Sequence, residues 1–174
     1  MLINGAWIRL GTTLVRHVTA GASGIWAAGK FTKVYRYICG RFRHAKGKRM
    51  KQVDAGGAKN IVGVTPRHQA NCLTKQRALA FRGFGFLIWK IIPNVFRTMK
   101  YISTTHYARG PTWGVLPNHR VVCSRASNAK TCTFTPFKYV RGSLAKSYKE
   151  SASPIVTHMA QVGRSSQCAW QSGT

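Results

Sequence analysis

Asp54 and Glu150 are the only carboxylate side chains in 174 residues. Chemistry built on paired carboxylates is excluded on that count: glycoside cleavage and two-metal hydrolysis each need at least two of them side by side. A carboxylate-built calcium or magnesium site fails for the same reason. The five cysteines, Cys39, Cys72, Cys123, Cys132 and Cys168, are odd in number and widely spaced, with no Cys-x-x-Cys pair. That spacing argues against a disulfide framework or a self-contained zinc finger, and small reduced thiols are the simplest reading. Cys123 and Cys132 near His119 leave open a zinc site shared with a partner chain. No Gly-x-Ser-x-Gly elbow occurs, and Gly56-Gly57 and Gly83-Phe84-Gly85 lack the spacing and the Lys-Ser/Thr ending of a phosphate loop. The expectation is a protein that is not an enzyme, with no cofactor, no metal and no small-molecule substrate.

Charge dominates the rest of the composition. Lys and Arg number 28 against 2 acids, a formal net charge of +26, and self-repulsion of that size calls for an anionic partner. Aromatic and basic residues alternate through Phe31, Lys33, Tyr35, Arg36 and Tyr37. The densest run follows: Arg41, Arg43, Lys46, Lys48, Arg49 and Lys51. A second interleaving holds Phe134, Phe137, Lys138, Tyr139 and Arg141. Cations neutralise phosphates while aromatic and guanidinium planes stack on splayed bases. No modular RNA-reading motif accompanies them, so charge spread along the whole length suits a chain threaded through folded ribosomal RNA.

The elements expected to carry these groups are few. Residues 1–53 contain no acid and bear Arg9, Arg16, Lys30 and Lys33 among apolar, Thr and Gly residues. They read as a basic N-terminal extension of mitochondrial transit-peptide type, with a short amphipathic helix around Ile8 to Val18. A core over residues 54–100 begins with a turn from Asp54 to Asn60 and an extended run, Ile61 to Val64. Thr65 then caps a helix with Pro66 in its first position. That helix is predicted from Pro66 to about Arg82, stopped by Gly83, with Arg67, Asn71, Lys75 and Arg82 near one phosphate-facing stripe. Phe84 to Ile92 reads as a buried strand or a short core helix ended by Pro93, far below the roughly 20 apolar residues of a membrane span. Residues 101–174 read as an irregular C-terminal extension with short strand-like runs at Val121 to Cys123 and Thr131 to Tyr139. No internal repeat stands out. The expected fold is mainly α, a small helical core with long basic, irregular N- and C-terminal extensions. The expected RNA contacts are Arg36, Arg41, Arg43, Lys46, Lys48, Arg49, Lys51, Arg67, Lys75, Arg77 and Arg82.

Residues 59–87 resemble the core of the bacterial-type small-subunit ribosomal protein eighteen family. Ile61, Gly63, Arg67, His68, Gln69, Leu73, Arg77, Ala78, Gly83 and Phe84 match in order its Ile-Thr-Gly turn, its basic helix opening, its Arg-Ala pair and its closing Gly-apolar pair. The family's doubled Lys-Arg-Ala-Arg is reduced here to Gln76-Arg77-Ala78-Leu79, and its usual proline is replaced near Trp89. The resemblance implies a helical core packed against ribosomal protein six and ribosomal RNA. The function expected is a structural RNA-binding component of a mitochondrial ribosome, of its small subunit, in the mitochondrial matrix. The alternatives are a basic accessory subunit of an inner-membrane complex and a free mitochondrial RNA-binding factor.

Overall fold

In the computed structural model the described residues are 2–3, 6–7, 12–57, 60–76, 87–93, 96, 98–105, 110–124, 127–128 and 131–144. Every regular element among them is a β-strand. A small hairpin joins β1 (Leu2–Ile3) to β2 (Ala6–Trp7). The first four-stranded unit follows: β3 (Val15–Gly21), β4 (Gly24–Gly29), β5 (Val34–Ile38) and β6 (Arg41–Ala45). The second holds β7 (Gln52–Gly57), β8 (Asn60–Val64), β9 (Ala70–Gln76) and β10 (Leu87–Ile91). The third begins with β11 (Tyr101–Thr104), β12 (Thr112–Val115) and β13 (Arg120–Ser124). A short hairpin, β14 (Ser127–Asn128) and β15 (Thr133–Phe134), interrupts it before β16 (Lys138–Leu144) closes the sheet. In each unit the strands are antiparallel and neighbours in chain order.

The three units are one structure repeated. Ala28 pairs with Val34, Val64 with Ala70 and Val115 with Val121, each at the mouth of the same turn. In that turn Thr32 N donates to Gly29 O at 2.9 Å, His68 N to Thr65 O at 2.9 Å and His119 N to Leu116 O at 2.9 Å. A second bond closes each loop, from Gly29 N to Lys33 O, Thr65 N to Gln69 O and Leu116 N to Arg120 O. The fourth turn residue is left-handed every time: Thr32 at φ 61°, His68 at 64° and His119 at 64°.

This turn is why the expected helix from Pro66 to Arg82 does not form. Proline's fixed φ suits the first turn of a helix and the second position of a tight turn equally well. Thr65-Pro66-Arg67-His68 takes the turn, and Ala70–Gln76 continues as strand β9; residues 77–86 lie outside the described residues. The mainly α fold is corrected to an all-β one. The regions read as irregular extensions carry strands as well: Val15–Gly21 replaces the C-terminal part of the helix expected around Ile8 to Val18, and β11 to β16 lie beyond residue 100. Phe84 to Ile92 resolves in favour of a strand over Leu87–Ile91.

Two apolar cores hold the units together, and both lie between units. Trp26, Ala28, Val34 and Ala45 of the first unit pack with Val53, Ala55, Ile61, Leu73 and Leu87 of the second, with Met50 between them. Val62, Val64, Ala70, Cys72 and Ile92 pack with Ile102, Leu116 and Val122 of the third, with Met99 in the corresponding place. The second unit is buried on both faces, which explains the unbroken apolar run Ile61 to Val64 where a half-exposed strand would alternate. The methionines sit over glycines at equivalent positions. A Cβ on Gly63 would come 3.3 Å from Met50 Sδ, and one on Gly114 2.8 Å from Met99 Sδ.

Candidate functional site

The turn end of the units gathers the exposed cations into a defined arrangement. The segment entering the second unit runs along the first unit's turn, where Met50 N donates to Thr32 O at 2.8 Å. The segment entering the third repeats this, with Met99 N donating to His68 O at 2.7 Å. The next residues, Lys51 and Lys100, therefore hold the same place in successive units, their amides donating to Val64 O and Val115 O.

Both lysines converge on one aromatic ring. Lys51 Nζ lies 5.4 Å from the Tyr101 ring centroid and Lys100 Nζ 5.9 Å from it, within cation–π range. His68 Nε2 stands 3.4 Å from Lys51 Nζ; an ammonium only donates, so the imidazole accepts and is neutral in this contact. Burial, then Lys51 and Lys100, hold the His68 pKa below its ordinary value. Burial, then Lys100, lower that of Lys51. All four side chains are partly exposed. Beside them Lys48 Nζ donates to Gln69 Oε1 at 2.9 Å and Asn71 Oδ1 at 2.8 Å, fastening the preceding segment to the same turn.

No carboxylate among the described residues answers these charges. Asp54 is 5% exposed and lies between units, held by Thr19, Ser103 and the Thr104 amide. Glu150 lies outside the described residues.

The cations singled out in the sequence separate into distinct places. Lys48, Lys51 and Arg67 meet at the second unit's turn, with Arg49 exposed on the segment between Lys48 and Lys51. Arg36 is committed to its own sheet, its guanidinium 5.3 Å from the Trp26 ring centroid and donating to Ser23 O at 3.4 Å. Arg41 and Arg43 lie on the outer strand β6, away from the turn, and Lys46 is exposed just after it. Lys75 is a β9 residue opposite Ile88 rather than a member of a helical stripe; Arg77 and Arg82 lie outside the described residues. Lys100, Tyr101 and His68 went unrecognised as site residues. The signal for them was the recurrence of Met-Lys at residues 50–51 and 99–100, each two residues ahead of Val53 or Ile102.

The cysteines and histidines form no group of three able to hold a metal among the described residues. Cys72 and Cys132 instead meet sulfur to sulfur with their Cα atoms 6.0 Å apart, a separation suited to a disulfide. Among the described residues no helix is long and apolar enough to cross a membrane.

Residues 1–163 match the family model of the Tectonin domain, a β-propeller-like family. No curated protein matches the chain. The match and the all-β fold overturn the resemblance to the ribosomal protein eighteen family, and with it the structural role on ribosomal RNA. The residues that carried the resemblance form β8, its turn and β9 as far as the structure describes them. A short series of apolar, glycine and basic residues fits a hairpin as readily as the start of a basic helix.

Proposed function

The chain belongs to the Tectonin domain family, and we propose that it is a non-catalytic recognition module whose turn end takes up acidic ligands. The observation that carries this reading is the convergence of Lys51 and Lys100 on the Tyr101 ring without a described carboxylate to neutralise them. The repeated turn supports it. Its backbone is pinned by the same two hydrogen bonds in all three units, while its tips differ: Lys30-Phe31, Pro66-Arg67 and Pro117-Asn118. Rigid strands presenting variable tips are a common way to build a binding surface.

Retention of the full chain on carboxylated, sulfated and phosphorylated agarose, with neutral agarose as reference, tests the reading. Acidic matrices should retain the protein. Replacing Lys51, Arg67 and Lys100 together by Gln should reduce retention far more than replacing Arg41, Arg43 and Lys46 together. Equal loss from both sets would place attraction in bulk charge and refute a turn-end site.

A further inference from the structure

We propose that Lys51, Lys100 and His68 form one binding site for a phosphomonoester, in which the two ammonium groups share the phosphate and the imidazole adds a third contact. The proposal rests on the recognition reading above and names its ligand chemistry. Both ammonium groups lie over the same Tyr101 ring, at 5.4 and 5.9 Å from its centroid. The ring is attached one residue after Lys100, so ring and second lysine enter the site from the same strand start. His68 is fixed by the turn: its left-handed backbone carries the imidazole, and its carbonyl is tied to Met99 N, the residue before Lys100.

Charge selects the ligand. Two ammonium groups drawn to one ring repel one another; burial, and after it Lys100, hold the Lys51 pKa below its ordinary value. A carboxylate or a sulfate ester brings a single negative charge and leaves one ammonium unanswered. A phosphomonoester brings between about 1.5 and 2 negative charges at pH 7 and three acceptor oxygens, enough for both lysines and a histidine N–H. Lysine as a point charge is a standard phosphate ligand. The first unit has Thr32 where the second has His68, so the same constellation is not formed at the junction of the first and second units.

Calorimetric titration of the full chain with methyl phosphate, methyl sulfate and acetate, at pH 7.5 and constant ionic strength, tests the site. Methyl phosphate should bind saturably and about tenfold more tightly than either monoanion, as expected for one additional charge-assisted contact. Lys51→Gln and Lys100→Gln should each abolish that preference, while Arg41→Gln should keep it. The selectivity of the unaltered chain stands as evidence even where a variant folds poorly. Glucose 6-phosphate and O-phosphoserine form two further arms; tighter binding of either supports the site and identifies its carrier as sugar or amino acid. Equal affinity for the three simple anions overturns the proposal, as does an unchanged preference in folded Lys51→Gln. Retention on acidic agarose without phosphate selectivity would refute this site alone, whereas no retention on any acidic matrix would refute the recognition reading with it.

Discussion

Thr19 donates its hydroxyl to the buried carboxylate of Asp54, Oγ1 to Oδ1 2.9 Å, across the boundary between the first and second units. Ser103 Oγ and Thr104 N reach the other oxygen from the third unit at 3.1 and 2.7 Å. Thr19, Asp54 and Ser103 are equivalent residues, opposite Trp26, Val62 and Trp113 in their sheets. One carboxylate thus ties the first strands of three successive units. Gln52 reinforces the boundary between the second and third units, its side-chain amide exchanging two hydrogen bonds with the Ile102 backbone at 2.7 and 2.9 Å.

Asp54→Ala should therefore cost about 2–4 kcal/mol, because it leaves buried donors from two other units without an acceptor. Asp54→Asn keeps an acceptor and should cost less. Burial raises the Asp54 pKa, outweighing the opposing hydrogen bonds and the influence of His17. The folded state then holds this proton more tightly than the unfolded chain. Its contribution to stability is full below the ordinary aspartate value of about 3.9 and is lost as pH rises through the raised value. Urea denaturation across that range should show the decline in the unaltered protein and a flatter profile in Asp54→Asn.

How much of this was legible in the sequence depends on which residues are asked. Ile61 to Val64 reads as extended because three of its four residues, Ile61, Val62 and Val64, are β-branched, and the structure agrees. Pro93 closes the apolar run before it, also as expected. Thr65-Pro66 misleads because helix caps and tight turns use the same residues for the same φ. The tie is broken only by Leu116-Pro117-Asn118-His119, which repeats the pattern where no helical period follows. The repeat itself is hidden because what all three turns share is backbone geometry: Thr32, His68 and His119 share a φ, while Pro-x-His recurs only in the second and third. Net charge was legible and its distribution was not, since only the fold brings residue 100 beside residue 51.

Thr32 stores local strain. It is β-branched and left-handed at φ 61°, a combination that L-residues rarely adopt. Thr32→Gly should raise stability by about 1 kcal/mol, the relief of strain exceeding the added chain entropy of glycine. A higher denaturation midpoint with unchanged urea dependence is the expected result.

Cys72 and Cys132 should form a disulfide once oxidised, linking β9 to the loop beside the third unit across 60 residues. Closing a loop of that length is worth about 4 kcal/mol in the chain-entropy account. Non-reducing peptide mapping should recover the linked pair, while exposed Cys39 alkylates in the native protein. Alkylation of both Cys72 and Cys132 in oxidised, denatured protein without reduction would contradict the pairing.

His68 should titrate below the ordinary histidine value, by burial and by repulsion from Lys51 and Lys100. A depressed histidine contributes stability above its unfolded pKa and loses it as pH falls through the folded one. Its imidazole signals in NMR should shift at lower pH than those of a free histidine. Removing either lysine charge, by Lys51→Gln or Lys100→Gln, should move that midpoint upward.

The most direct measurement is chemical-shift mapping of the full chain during titration with methyl phosphate. The account expects the largest changes at Lys51, His68, Lys100 and Tyr101, saturating together on one binding curve. Changes centred on Arg41 and Arg43 of the outer strand, or spread evenly over every exposed cation without saturation, would contradict it.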